Sequence, residues 1–174
     1  MSATRRPEML PDIPRIKKDD LVEEFPGVFD AARYIDVGIG WLPLVRDFVT
    51  EALPHDPSLA VLEMKEKWGG LRIWCDTPVL EARLAKGKAE IKSGRTCEIC
   101  GAEGDIRRPP PGRWSWWRCL CYEHASPDQR SWGARREGPI YGTMQVAGKW
   151  YRYDEATDSM VETETPSRFR HDDV

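Results

Sequence analysis

The strictest constraint on this chain lies in two short segments, TCEICG at residues 96–101 and RCLCYEHA at residues 118–125. Zinc takes four donors at the corners of a tetrahedron, most often thiolate and imidazole, and a C-x-x-C turn brings two sulfurs to one point. Cys97 and Cys100 have that spacing. Gly101 follows them, and glycine accepts the positive φ that turns backbone amides toward the sulfurs. Cys121 and His124 stand three residues apart, so a single helical turn projects both to one side and completes the tetrahedron. The expected ligands of a Zn2+ ion are therefore Cys97, Cys100, Cys121 and His124. A rearranged set that uses Cys119 stays open, because Cys119 would share the face of Cys121 in a strand. A filled Cys3His site leaves no position for water, so its expected role is structural. Metal binding would add folding energy on the order of 10 kcal/mol to a module too small to bury much core.

Between the two ligand pairs, AEGDIRRPPPGRWSWWR fits a hairpin that turns over residues 109–112. A knuckle, then a hairpin, then a ligand pair entering a helix is the layout of a treble clef, with a zinc ribbon as the competing arrangement. Alternation along the second strand would put Trp114, Trp116 and Arg118 on one face and Trp117 and Cys119 on the other.

Outside this module the chain reads as α+β: a small helix and β-hairpin core, the treble-clef-like or ribbon-like zinc module, and a C-terminal β-hairpin. Residues 1–20 mix charges with Pro7, Pro11 and Pro14 and show no apolar period, which predicts a flexible arm. Residues 21–94 form the expected core. Its first part, EEFPGVFDAARYIDVGIG, carries aromatic anchors around a Pro26-Gly27 turn and predicts irregular structure with at most a short helix. Gly38 and Gly40 resemble part of a dinucleotide fingerprint that lacks its third glycine and preceding strand, so they carry no weight as one. WLPLVRDFVTEAL predicts a helix whose buried stripe is Trp41, Leu44, Val45, Phe48, Val49, Ala52 and Leu53. VLEMKEKWGGLRIWC predicts two strands reversing at Gly69-Gly70. Lys65, Lys67 and Arg72 around that turn suit an anion, although a plain reversal accounts for the motif as well.

TPVLEARLAKGKAEIKSG predicts a second helix, with Thr77 as N-cap, Pro78 at its first position and Gly94 past its end. Its apolar side is expected to be Leu80, Leu84 and Ile91, with Gly87 permitting close approach to a sheet. The zinc module then spans 95–135. Residues 136–174 are expected to hold a hairpin turning near 155–158 and a disordered tail. Cys75 reads as a small apolar residue rather than a reactive thiol.

Composition narrows the functional classes. A formal charge of −3 disfavours wholesale coating of nucleic acid, which depends on Lys and Arg displacing counterions. Residues 81–118 nonetheless carry nine Lys or Arg against five Asp or Glu, so a local basic patch remains. No apolar run reaches the roughly 18 residues of a membrane helix, and the first twenty residues lack the apolar segment of a secretory signal. The expected location is cytoplasmic, where C-x-x-C pairs bind metal before they form disulfides.

The segments EMKEKWGGLRIW, SGRTCEICG and LCYEHA resemble a group of small bacterial and phage-encoded proteins with the pattern K-E-K-F/W-G-G-L-R, then T-C-E-x-C-G, then L-C-x-x-H-A. The resemblance covers residues 62–125 and places Cys97, Cys100, Cys121 and His124 at matching positions, with Cys119 as an extra. It implies a metal module and a mobile-element origin, and no activity.

The expected function is non-enzymatic. The chain has only His55, His124 and His171, one of them a proposed ligand, which gives little support to a Ser-His-Asp or Cys-His centre or to a metal-dependent nuclease. The hairpin packs Arg107, Arg108, Arg113 and Arg118 around Trp114 and Trp116, residue types favoured at binding surfaces. The expectation is a zinc-binding protein that uses these residues to bind a protein partner, in regulation or in interference with a host complex. A nucleic-acid-binding finger using the same hairpin is the alternative.

Overall fold

The computed structural model describes residues 13–133 and 142–169 of the chain. The expected N-terminal arm is packed from its thirteenth residue onward. Ile13 and Ile16 are buried, the Ile16 N–H donates to the Val37 carbonyl, and helix α1 (Lys18–Glu24) sinks Leu21 into the core. Three apolar side chains spaced through a charged stretch suffice to anchor it, even though they make no helical period. Beyond the Pro26-Gly27 turn, Val28 and Phe29 are buried, and the chain forms a short strand β1 (Tyr34–Asp36).

A 3-10 turn at Ile39–Trp41 leads directly into α2 (Leu42–Ala52). Pro43 is tolerated in its first turn, where the amide would be unbonded anyway. Most of the expected stripe is buried: Trp41, Leu44, Val45, Phe48, Val49 and Ala52 face inward, while Leu53 is only partly covered. Strands β2 (Val61–Lys67) and β3 (Gly70–Cys75) pair antiparallel, and β1 adds to β2 in parallel. The reversal falls at Trp68-Gly69, one residue earlier than expected. Both residues have positive φ, 57° and 77°, as a two-residue type I′ turn requires.

Helix α3 (Leu80–Ser93) departs from expectation at both its start and its face. Its N-cap is Val79. Thr77 sits earlier and donates its hydroxyl to Asp56 at 2.6 Å. The buried face is Ala82, Ala85, Gly87, Lys88 and Ala89, while Leu80 is exposed and Leu84 and Ile91 are half-buried. The reason is crowding. Helix α3 is packed on α2, on β3 and on the C-terminal sheet at once, so its closest approaches go to small side chains. Lys88 is buried because its ammonium meets the Glu51 carboxylate together with the Asp158 carbonyl and carboxylate.

The expected zinc module contains a short antiparallel pair, β4 (Asp105–Arg107) and β5 (Arg118–Leu120), and a one-turn helix α4 (Pro127–Arg130) closed by a Ser126/Gln129 capping box. After Gly142 comes a three-stranded meander, β6 (Thr143–Val146), β7 (Lys149–Asp154) and β8 (Ser159–Thr163), rather than a single hairpin. The β7–β8 turn lies at 155–158 as expected. The extra turn is Ala147-Gly148, both at positive φ. Met144 of β6 reaches the surface of α3 at Gly87, where a β-carbon would lie only 1.8 Å from the methionine sulfur. Gly87 therefore does admit a sheet, and the sheet is the C-terminal one. Of the expected disordered tail, Ser167–Phe169 forms a 3-10 turn with Phe169 stacked on Trp150 at 4.9 Å. The expected arm over residues 1–12, the loop over 134–141 and the last residues of the tail, with His171, lie outside the described residues. Among the described residues no helix is long and apolar enough to cross a membrane.

Asp158 fastens the meander to α3. It accepts from Lys92 at 2.8 Å, from Tyr153 at 2.7 Å and from Lys88 at 3.2 Å. The Lys92 hydrogen bond, then those of Tyr153 and Lys88, hold its carboxyl down from an ordinary 3.8 to about 2. A carboxyl depressed in the folded state contributes stability that is present above its unfolded value and is lost as pH falls toward the folded value. With the side chain half exposed, screening leaves about 1 kcal/mol. Asp158→Asn should therefore lower stability by about that amount at pH 6 to 7. The gap from the parent protein should close between about pH 4 and pH 2. Urea unfolding of both proteins across that range measures it.

Candidate metal centre and the tryptophan loop

Residues 96–103 fold into a knuckle bounded by a Thr96–Glu103 bridge, with the Gly101 N–H donating to the Cys97 carbonyl at 2.9 Å. Gly101 has φ +78°, the conformation anticipated for it. On the other side β5 ends at Leu120, and the chain makes one helical turn in which the Ala125 N–H donates to the Cys121 carbonyl at 3.0 Å. That turn carries Cys121 and His124. They precede α4 instead of lying in its first turn, which differs from the expected treble-clef entry.

These elements bring Cys97, Cys100, Cys121 and His124 together, their donor atoms all within 4.8 Å of one another. Cys121 Sγ lies 3.3 Å from His124 Nδ1, Cys97 Sγ lies 3.7 Å from the same nitrogen, and Cys100 Sγ lies 3.8 Å from Cys121 Sγ. An ion held tetrahedrally at about 2.3 Å from sulfur and about 2.0 Å from nitrogen spaces its donors about 3.5–3.8 Å apart. The four residues are thus close enough to coordinate one metal ion. Cys97 and Cys121 are buried, whereas Cys100 and His124 reach the surface.

The surroundings act in opposite directions on the two buried thiols, raising Cys97 and lowering Cys121. Burial pushes the Cys97 thiol up, but hydrogen bonding from the backbone at Cys121, Cys100 and Ile99 works against it. For Cys121 burial is outweighed: the backbone amide and ring of His124, with the neighbouring sulfurs, bring its thiol to about 7. Cys119 behaves differently. It is fully buried, packs with the main core beside Ile106, and its thiol is pushed far up, chiefly by burial. Cys119 is no member of the cluster.

The knuckle is seated on the core through contacts that sequence reading missed. The Gly40 N–H donates to the Glu98 carbonyl at 2.9 Å, and Trp41 Nε1 donates to the Thr96 carbonyl at 2.7 Å. A β-carbon on Gly38 would lie 2.1 Å from the Glu98 oxygen, and one on Gly40 would lie 2.2 Å from the Cys97 oxygen. The Gly-Ile-Gly segment is therefore the bed of the Cys97–Cys100 knuckle. Its glycines were the available signal, and they belong to backbone packing rather than to a nucleotide.

The six residues expected to bind a partner divide sharply. Arg118 is a correction: it is buried and donates to the fully buried Glu98 at 3.0 Å, so it braces the knuckle from β5. Burial, partly offset by Arg118, raises the Glu98 carboxyl to about 7. Arg107 lies 3.4 Å from Asp105 with its side chain mostly covered, and Arg113 pairs with Asp128 at 2.6 Å. Arg108, Trp114 and Trp116 are exposed. The strand alternation fails because β5 begins only at Arg118, leaving 108–117 as a loop.

That loop meets the β2–β3 turn, which sequence reading took as a plain reversal or an anion contact. Trp68 stands edge-on to Trp117 with ring centres 5.2 Å apart, and Arg108 lies 5.2 Å over the Trp117 ring. Gly69 is buried against Ile106, tying the turn to β4. A tryptophan at φ +57° costs about 1–2 kcal/mol against an ordinary conformation. Between turn and loop lies a cleft of about 500 Å³ lined by Trp68, Pro109, Trp114, Trp116 and Trp117, with Glu66, Lys67, Arg113 and Ser115 also in its lining.

Comparison with protein-family models, with curated proteins and with solved structures finds no match to this chain.

Two substitutions check the cage and its bed. Cys97→Ser should abolish stoichiometric metal binding while Cys119→Ser retains it, read by elemental analysis of the purified proteins. Gly40→Ala should keep the ligands but lower stability by about 1–3 kcal/mol through overpacking, measured by chemical denaturation.

Proposed function

We propose that Cys97, Cys100, Cys121 and His124 hold a structural zinc ion, and that the closed module presents the tryptophan loop to a protein partner. The observation that carries this reading is the four-donor cluster itself, with spacings suited to a tetrahedral ion and no acidic or second histidine ligand among its members. Three thiolates and one imidazole favour zinc over the hard cations, which take oxygen. When bound, the ion supplies crosslinking between the knuckle and the turn after β5. The protein groups do the rest. Backbone hydrogen bonding favours the Cys97 thiolate, Gly38 and Gly40 receive the knuckle, and Arg118 fixes Glu98 beneath it. With four protein donors no coordination position is left for a reacting water, which supports a non-enzymatic role.

Trp114 and Trp116 are exposed at the cleft, and such rings are typical anchors of protein interfaces. Nucleic-acid binding is a second reading, favoured by the exposed indoles beside Arg108 and Lys67.

Cobalt substitution tests the metal site. The Co2+ protein should show the intense thiolate charge-transfer and d–d bands of a tetrahedral three-sulfur, one-nitrogen site, and Zn2+ should bleach them. Chelation should open the 95–133 module to protease while residues 21–94 resist. Affinity capture with the parent and Cys97→Ser proteins then tests the partner: a protein retained only by the metal-loaded form is expected, and equal retention by both refutes the reading.

A further inference from the structure

Resting on the reading of the tryptophan loop as a protein-binding surface, we infer that the cleft between Trp68 and Trp114–Trp117 takes an extended proline-rich peptide flanked by acidic residues. Four indoles and Pro109 line the cleft together with Glu66, Lys67, Arg113 and Ser115. Trp68, Trp114 and Trp116 are 58%, 100% and 58% exposed, so their faces await cover. Rigid aromatic ridges grip proline rings, and a polyproline II segment enters with its backbone solvated and little conformational freedom left to lose. Residues 113–117 form no strand, so the aromatic side chains rather than a sheet edge are what the cleft offers such a segment.

Trp68 supplies an independent pointer. Positions of a type I′ turn favour asparagine or glycine, and either would reverse the β2–β3 hairpin without strain. The fold instead keeps a tryptophan in the left-handed region and sets its ring against Trp117 at an interplanar angle of 61°. Outliers of this sort persist where the surrounding structure holds them and function uses them.

Charge decides the flanks of the ligand and the class of partner. Of the arginines near the loop, Arg107 is engaged by Asp105, Arg113 by Asp128 and Arg118 by Glu98. The Glu66 carboxylate accepts from the Gly69 N–H at 2.6 Å. Among the described residues, Lys67 in the cleft lining and Arg108, beside the cleft over the Trp117 ring, have no carboxylate partner, and they complement one or two acidic side chains. Two cations on a chain of net charge −3 make a poor track for a phosphate backbone, whose binding grows with each phosphate neutralised.

The test uses the metal-loaded full chain and a fluorescein-labelled twelve-residue peptide with a Pro-Pro-x-x-Pro centre between aspartates. Three competitors accompany it: a copy with lysine for aspartate, a copy with alanine for proline, and an oligothymidine single strand. The acidic proline peptide should bind saturably and quench tryptophan fluorescence, with each altered peptide at least tenfold weaker. Trp68→Asn and Trp116→Ala should each weaken it at least tenfold with metal content and melting temperature unchanged. Loss of melting temperature in Trp68→Asn, equal binding of all three peptides, or binding of none overturns the inference. Salt-sensitive binding of the oligothymidine in preference to the peptides overturns it in favour of nucleic acid. Cys97→Ser separates the two readings. If it binds the peptide as the parent does, metal-dependent presentation fails and the peptide class stands. If the parent captures a partner in a metal-dependent way but ignores every peptide, the peptide class alone fails.

Discussion

The amide of Gly40 on the carbonyl of Glu98 is the joint on which the molecule turns. Through it the metal-ligand knuckle rests on the entry to α2, close enough that any side chain on Gly38 or Gly40 would strike the knuckle backbone. Trp41 adds a hydrogen bond to Thr96, and Arg118 closes the far side by pairing with Glu98. A buried ion pair of this kind adds little net stability against apolar replacements, but removing one member leaves an uncompensated charge, so it fixes position more than it adds energy. The small metal-ligand module therefore shares a wall with the larger core, and Cys119 packs into that core from the opposite face of β5.

What could be read from the residues follows from how local each determinant is. Helix α2 was legible because its apolar period and its prolines are properties of the segment alone. The ligand cluster was legible because two short spacings pin both halves chemically, whatever the rest of the chain does. Helix α3 was misread at its face because neighbours press on it from several sides, and its alanines, not its leucines, make the closest contacts. The reversal at Trp68-Gly69 was placed one residue late because Gly69 is committed to Ile106 in a different module, a contact invisible from the hairpin itself.

Other misreadings share this cause. Strand β1 has only three residues and pairs in parallel with β2, so it lacks the length and the turn that announce a strand. The Ala147-Gly148 turn escaped notice because alanine is a poor marker of positive φ. Arg118 looked like one more exposed cation of the hairpin, and only tertiary structure reveals Glu98 beneath it. The Gly38 and Gly40 pair, which carried no weight as a nucleotide fingerprint, has its reason in the protein's own backbone, which fills the space beside both.

The β4–β5 stem has a consequence for how such a protein can change over time. Arg107 pairs with Arg118 at the mouth of the 108–117 loop, and the stem is held by the ladder, by Glu98 and by the ligand turn beyond it. Lengthening a loop whose ends are already fixed costs only fractions of a kcal/mol per added residue, on the order of 0.6 for each doubling. The ten residues between the stem ends thus form a replaceable cassette, free to diversify in length and chemistry while the scaffold that displays it stays constant.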